Sequence, residues 1–183
     1  MFCRGRGERF LKKLPAGRRA IQLLGYGHTT DFLPLEKKDV PEFSIARRAA
    51  AKAYAMSGVK PSELHGAEVH DCFSISEIIA YEILGFAENG KGAQLLESGA
   101  TALPSARENF ATGSPPFTLP VNVGGGLIGD GHPVGATGVR QVVEAWLQLT
   151  NGAGGRQIPG AKRFLTFNMG GSVTTSVVMI WGS

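Results

Sequence analysis

The chain has 183 residues, 43% of them hydrophobic and 19% charged, with 26 Gly, ten Pro and two Cys. That is material for one domain with a sizeable core, and it is too apolar for a disordered chain. Cys3 and Cys72 cannot by themselves build a disulfide framework or a zinc site, and no apolar run reaches the roughly eighteen residues of a membrane span.

The net charge of +4 is unevenly placed. Residues 1–20 carry seven Lys/Arg against Glu8 alone, and the rest carries twelve Lys/Arg against fourteen Asp/Glu. A basic segment at 1–18 is thus set apart from a body at 19–183. It suits a mitochondrial presequence, a polyanion-binding arm or merely the start of a fragment, and Gly5, Gly7 and Pro15 spoil an amphipathic helix. No aromatic interleaving or known module points to nucleic acid. The ending Ile180-Trp181-Gly182-Ser183 is not a peroxisomal S-K-L signal.

In chain order, residues 20–26 read as a strand, and 27–43 as a polar, Pro-containing connection. Ser44 as N-cap opens a helix with apolar positions at Ile45, Ala49 and Ala53 and at Ala46, Ala50 and Tyr54, and Gly58 stops it. Pro61 to His65 is a turn, and residues 67–71 are a short strand. Ser74-Ile75-Ser76-Glu77 has the spacing of a capping box, opening a helix with Ile75, Ile78, Ile79 and Ile83 on one face and a stop at Gly85.

Residues 92–98 suit a short helix, 99–118 a loop and 119–123 a brief strand. Seven glycines then fall within residues 124–138. A helix over 139–150 carries Val139, Val142, Val143, Trp146 and Leu149 on one face. Residues 163–168 and 173–181 are strands joined by Met169-Gly170-Gly171-Ser172, short enough for an antiparallel hairpin. The order predicts a layered α/β domain.

Three loops stand where strands end. In His70-Asp71-Cys72-Phe73 a thiol precedes a helix, whose partial positive charge favours thiolate, with a histidine beside it. A buried, inert cysteine is the equal alternative. In Gly124 to Gly138 the glycines permit close ligand approach and present one imidazole, His132, next to Pro133. Residues 124–129 match G-x-G-x-x-G, but the run continues through Pro133 without the acidic partner of a dinucleotide site. The third loop, Asn168-Met169-Gly170-Gly171, reads by itself as a hairpin turn.

Together these loops resemble the C-terminal half of a thiolase, over about residues 20–183. His70-Asp71-Cys72-Phe73 is similar to the HDCF motif of the sterol-carrier-protein type. Gly131-His132-Pro133-Val134-Gly135-Ala136-Thr137-Gly138 is similar to the family's GHPxGATG. The family's C-terminal CxG loop is matched by Asn168-Met169-Gly170-Gly171, without its cysteine, and in the HDCF type that thiol comes from the HDCF cysteine.

The resemblance implies a thiolase-like C-terminal domain, a layered mixed sheet with helices on both faces. It implies 3-ketoacyl-CoA thiolysis or Claisen condensation, with acyl-CoA as substrate and no resident cofactor or metal. Cys72 would be the acid/base and His70 an oxyanion donor, while His132 would activate the nucleophile and contact thioester oxygen. Backbone N–H groups of Gly170 and Gly171 would form a second oxyanion hole, and Gly131, Pro133 and Gly135 the substrate loop.

The family's nucleophilic cysteine lies in its N-terminal half, and Cys3 lacks the small neighbours and apolar helix that accompany it. An N-terminal half, in the same or a separate chain, is therefore the expected partner, along with homo-oligomers. A mitochondrial or peroxisome-like location is expected, otherwise the cytoplasm. The alternatives are a non-catalytic acyl-CoA-binding or scaffolding homologue and a self-contained Cys72–His132 hydrolase.

Overall fold

Four strands form one mixed sheet: β1 (Gln22–Thr30), β2 (Gly66–Glu68), β3 (Arg163–Gly170) and β4 (Thr175–Gly182), in the order β1-β4-β3-β2. This computed structural model describes Lys13, residues 19–110 and residues 117–183; the rest of the basic segment, with Cys3, lies outside the described residues. Strands β1/β4 and β4/β3 pair antiparallel, and β2 joins β3 in parallel. The expected C-terminal hairpin is therefore present.

Period-two alternation divides its side chains between two faces. Leu165 opposite Ile180 and Phe167 opposite Val178 enter one core, while Phe164 opposite Trp181 enters another. The first core lies under α1 (Ser44–Ser57), and the second under the later helix Thr137–Leu149. Helices thus cover both faces, as the resemblance implied. The remaining helices are α2 (Ser74–Ile83), α3 (Gly92–Glu97), α4 (Gly126–Asp130) and α5 (Thr137–Leu149). Among the described residues, no helix is long and apolar enough to cross a membrane.

Helix α1 packs by small residues on small residues. Ala46, Ala49, Ala50 and Ala53 are buried, and α1 lies directly on Gly25 and Gly27 of β1. A Cβ at Gly27 would stand 1.9 Å from the Ala49 carbonyl oxygen, and one at Gly25 2.5 Å from that of Ala53. Gly27→Ala must therefore push helix and strand apart. We expect a loss of about 3 kcal/mol, read as a melting temperature lower by about 6–12 °C. An unchanged melt would contradict this close packing.

Several elements depart from expectation. Strand β1 starts at Gln22 and runs to Thr30, because its ladder with β4 continues to Thr175. Ser44 is the first helical residue of α1; Phe43 is the N-cap, with φ 43°, and the Asp39 carboxylate accepts from Ser44 N–H at 3.2 Å. The capping box does not form, since Phe73 is the N-cap of α2 and Glu77 pairs with Tyr81 and Asn122. Residues 119–123 make a single parallel bridge, Ala67 to Val121, in place of a strand. Strand β2 ends at Glu68, earlier than expected, and 99–118 contains a 3-10 turn at Pro104–Asn109.

The largest departure is the facing of α5. Gln141, Glu144 and Gln148 are buried, whereas Val139 is 66%, Val143 48% and Trp146 41% exposed. The polar groups face inward because each has a partner there. Gln141 Nε2 donates to the Phe167 carbonyl at 3.1 Å, and Gln148 Nε2 to that of Arg156 at 2.9 Å. Ile158 N–H donates to Gln148 Oε1, and Arg156 to the Glu144 carboxylate. Satisfied buried amides compete well with a valine stripe. The β3–β4 turn is also shifted, to residues 171–174, with φ of 58°, 54° and 64° at Gly171, Ser172 and Val173. Gly170 is thus a strand residue opposite Thr175.

Candidate functional site

The parallel strands β2 and β3 end at the same edge of the sheet, and the three loops gather there. From β2 the chain passes through buried Val69, His70 and Asp71 to the half-buried Cys72, immediately before the N-cap of α2. Asn122 pins this segment by accepting from Val69 N–H at 2.8 Å and donating to Glu77. Asp71 Oδ1 accepts from Leu127 N–H at 2.7 Å, in the first turn of α4. Gly126 is required at that turn: its φ is 62°, and a Cβ would meet Asp71 at 2.2 Å. The Asp71 carboxylate is thus a clamp between two loops.

His132 stands in the exposed stretch between α4 and α5, and its Nδ1 lies 2.7 Å from Thr137 Oγ1. Gly131 carries φ 99°, and open space surrounds Gly135. The His70 and His132 rings meet edge to face, with centroids 5.0 Å apart. His70 Nδ1 in turn lies 2.7 Å from Asn168 Oδ1, near the end of β3. Residues 98 positions apart thus touch. Burial holds the His70 pKa below its ordinary value, and His132 adds to this, while the Asn168 hydrogen bond and Asp71 oppose it. The structure therefore brings His70 and His132 together and sets Cys72 two residues along the same loop. Gly170 and Gly171 lie at the exposed hairpin end, and Pro133 is exposed.

Beneath the loops lies an ionic strut. Glu68, with no side-chain exposure, takes Arg140 Nη2 at 2.9 Å, and Arg140 Nη1 reaches Asp130 at 3.4 Å. Glu68 precedes His70 by two residues, and Asp130 precedes His132 by two. Burial pushes the Glu68 carboxyl up to about 7 against the pull of Arg140, with Glu144 adding to the rise. The sequence reading missed Arg140, Gln141, Thr137 and Asn168 as supports. Thr137, five residues after His132 within one motif, and Asn168, first residue of the third loop, left a signal; Arg140 and Gln141 are paired only by the fold.

A family model described as "Thiolase C-terminal domain-like" matches residues 27–183. The chain belongs to this family. Sterol carrier protein 2 of Oryctolagus cuniculus is 38% identical over 167 residues, which are 89% of this chain and 28% of that protein. Acetyl-CoA acetyltransferase of Methanothermobacter thermautotrophicus is 38% identical over 146 residues, 80% of this chain and 35% of that enzyme. This thiolase-type chain therefore spans about a third or less of these relatives.

Among solved structures, an Ltp2-ChsH2(DUF35) aldolase has a TM-score of 0.76 at 19% identity, covering 94% of this chain and 41% of that one. A monomeric SCP2-thiolase-like protein type 1 from Mycobacterium smegmatis has a TM-score of 0.60 at 16% identity, covering 88% and 29%. Both share the thiolase-type fold.

Proposed function

We propose that this thiolase-type domain supplies the acid/base and oxyanion half of an acyl-CoA thiolase site, acting in 3-ketoacyl-CoA thiolysis and its reverse condensation. The observation that carries the reading is the meeting of His70 with His132, one from each of two motif loops, at the end of parallel strands. In thiolysis a cysteine of an N-terminal thiolase half attacks the 3-keto carbon and takes the acyl group. The leaving carbanion of the shorter acyl-CoA collects the Cys72 proton. The Cys72 thiolate then takes the proton of the coenzyme A thiol, coenzyme A attacks the acyl-cysteine, and His132 gives back to the departing thiolate the proton it took when that cysteine attacked. Hydrogen bonds to the developing oxyanions lower both barriers.

The N-terminal half would also cover the outward face of α5. Val139, Val143 and Trp146 fall at i, i+4 and i+7 along one stripe, which water alone does not favour. The large unmatched share of the relatives supports a partner of that kind, in the same polypeptide or another.

The test is acetoacetyl-CoA thiolysis with and without the N-terminal half of a sterol-carrier-protein-type thiolase. Activity is expected only in the mixture, and Cys72→Ala should lower it by about 10²–10⁴-fold. Full activity of the isolated chain, or an undiminished rate for Cys72→Ala, would overturn the reading. Acyl-CoA binding without turnover in the mixture would favour a scaffold instead.

A further inference from the structure

Asn168 occupies the position where the thiolase CxG loop carries its cysteine, and its amide lies against His70. A carbonyl oxygen only accepts, so Asn168 Oδ1 at 2.7 Å requires a hydrogen on His70 Nδ1. The amide has little freedom to move away. Gln141 holds the preceding carbonyl of β3. On its other side, a Cβ at Gly138 would come within 2.9 Å of Asn168 Nδ2, so the amide is wedged between the His70 ring and the first turn of α5.

We propose that Asn168 is the positioning residue for His70: it keeps the proton of the neutral ring on Nδ1 and leaves Nε2 as a bare acceptor. His70 then donates to a substrate oxygen only after it has itself taken a proton. His132 is set in the same way. The Thr137 hydroxyl hydrogen is directed to the Pro133 carbonyl at 3.4 Å, so Thr137 Oγ1 accepts from His132 Nδ1–H and frees Nε2. The titratable groups facing His70 are His132 and Asp71, and Asp71 is already engaged with Leu127.

The inference deepens the acyl-transfer reading and rests on it for its catalytic meaning. It revises the simple role of His70 as a permanent oxyanion donor. A step that needs His70 as donor should slow as pH rises past its pKa, whereas a step that uses Nε2 as acceptor should quicken.

Its test needs no assay of turnover. Two-bond ¹H–¹⁵N correlation spectra of the full ¹⁵N-labelled chain report which ring nitrogen bears hydrogen in each of the four histidines. His28→Gln, His65→Gln and His70→Gln assign them. At pH 8 His70 should show a protonated Nδ1 and a bare Nε2, and the reverse or an averaged pattern would overturn the proposal. Asn168→Leu should release the lock and give an averaged ring, and an unchanged His70 pattern would count against Asn168. Asn168→Asp keeps the polar contact if the leucine variant does not fold. It should raise the His70 pKa by about 1–3 units, and no rise would overturn the assignment. The acyl-transfer reading fails separately, in the thiolysis measurement.

Discussion

Arg140→Ala is expected to destabilise the chain by about 3–5 kcal/mol, because it strands a carboxylate that has no access to water. Glu68 is fully buried on β2, Arg140 is the partner of its Oε2 at 2.9 Å, and its Oε1 has no hydrogen bond among the described residues. The loss should itself depend on pH. The folded-state pKa of Glu68, about 7, lies above its ordinary 4.5, chiefly because burial disfavours the charge. Folding therefore binds a proton, and the group's stabilising contribution is complete below about 4.5 and disappears as pH rises through 7.

Removing Arg140 raises that pKa further, so the penalty should be larger at pH 8 than at pH 5, where Glu68 is already neutral. Urea melts of wild type and Arg140→Ala at the two pH values decide this. A penalty equal at both would mean that lost packing, and not the stranded charge, is responsible. Glu68→Gln should flatten the wild-type fall in stability between pH 5 and 8.

The second large effect is expected on the outer face of α5. A variant carrying Val139→Lys, Val143→Glu and Trp146→Lys should still fold, because these residues are substantially exposed, although it gives up the Trp146 Nε1–H hydrogen bond to the Arg19 carbonyl. It should nevertheless lose affinity for the proposed N-terminal half. Full burial of such side chains is worth about 1.5–3 kcal/mol each, so burying the exposed half of three gives about 2–5 kcal/mol, or roughly thirty- to several-thousandfold in affinity. Titration calorimetry against an N-terminal thiolase half reads this directly. Equal affinity of the triple variant would place the partner elsewhere. The wild-type chain alone should self-associate or bind hydrophobic dyes, and the variant should do so less.

Much of the architecture was legible because it is locally encoded. Gly58 does end α1, in the left-handed conformation, and the β-branched run near the C-terminus forms its hairpin. The motif loops were readable by their residue types and order. What sequence did not disclose depends on partners distant in the chain. Apolar periodicity put Val139, Val143 and Trp146 on one face, and that face turns outward because Phe167, Arg156 and Ile158 hold the polar side of the same helix inward. A capping-box spacing at Ser74 was overridden once Asn122 and Tyr81 engaged Glu77. In the site, His70 and His132 stood out, whereas Asn168 looked like a missing cysteine and not like a group with its own task. Strut residues Glu68 and Arg140, 72 positions apart, carried no common signal.

The polar underside of α5 has an effect on its azimuth. A purely apolar helix can roll about its axis and exchange one hydrophobic contact for another with little penalty. Here a roll of one residue, about 100°, would unseat Gln141, Glu144 and Gln148 from acceptors and donors that only one angle satisfies. The outward stripe is consequently presented at a single bearing, and His132, tied to Thr137 at the helix start, shares that bearing. Whatever seats on the stripe meets His132 in one fixed relation, and on the proposed acyl-transfer reading docking and catalytic alignment would be one mechanical event.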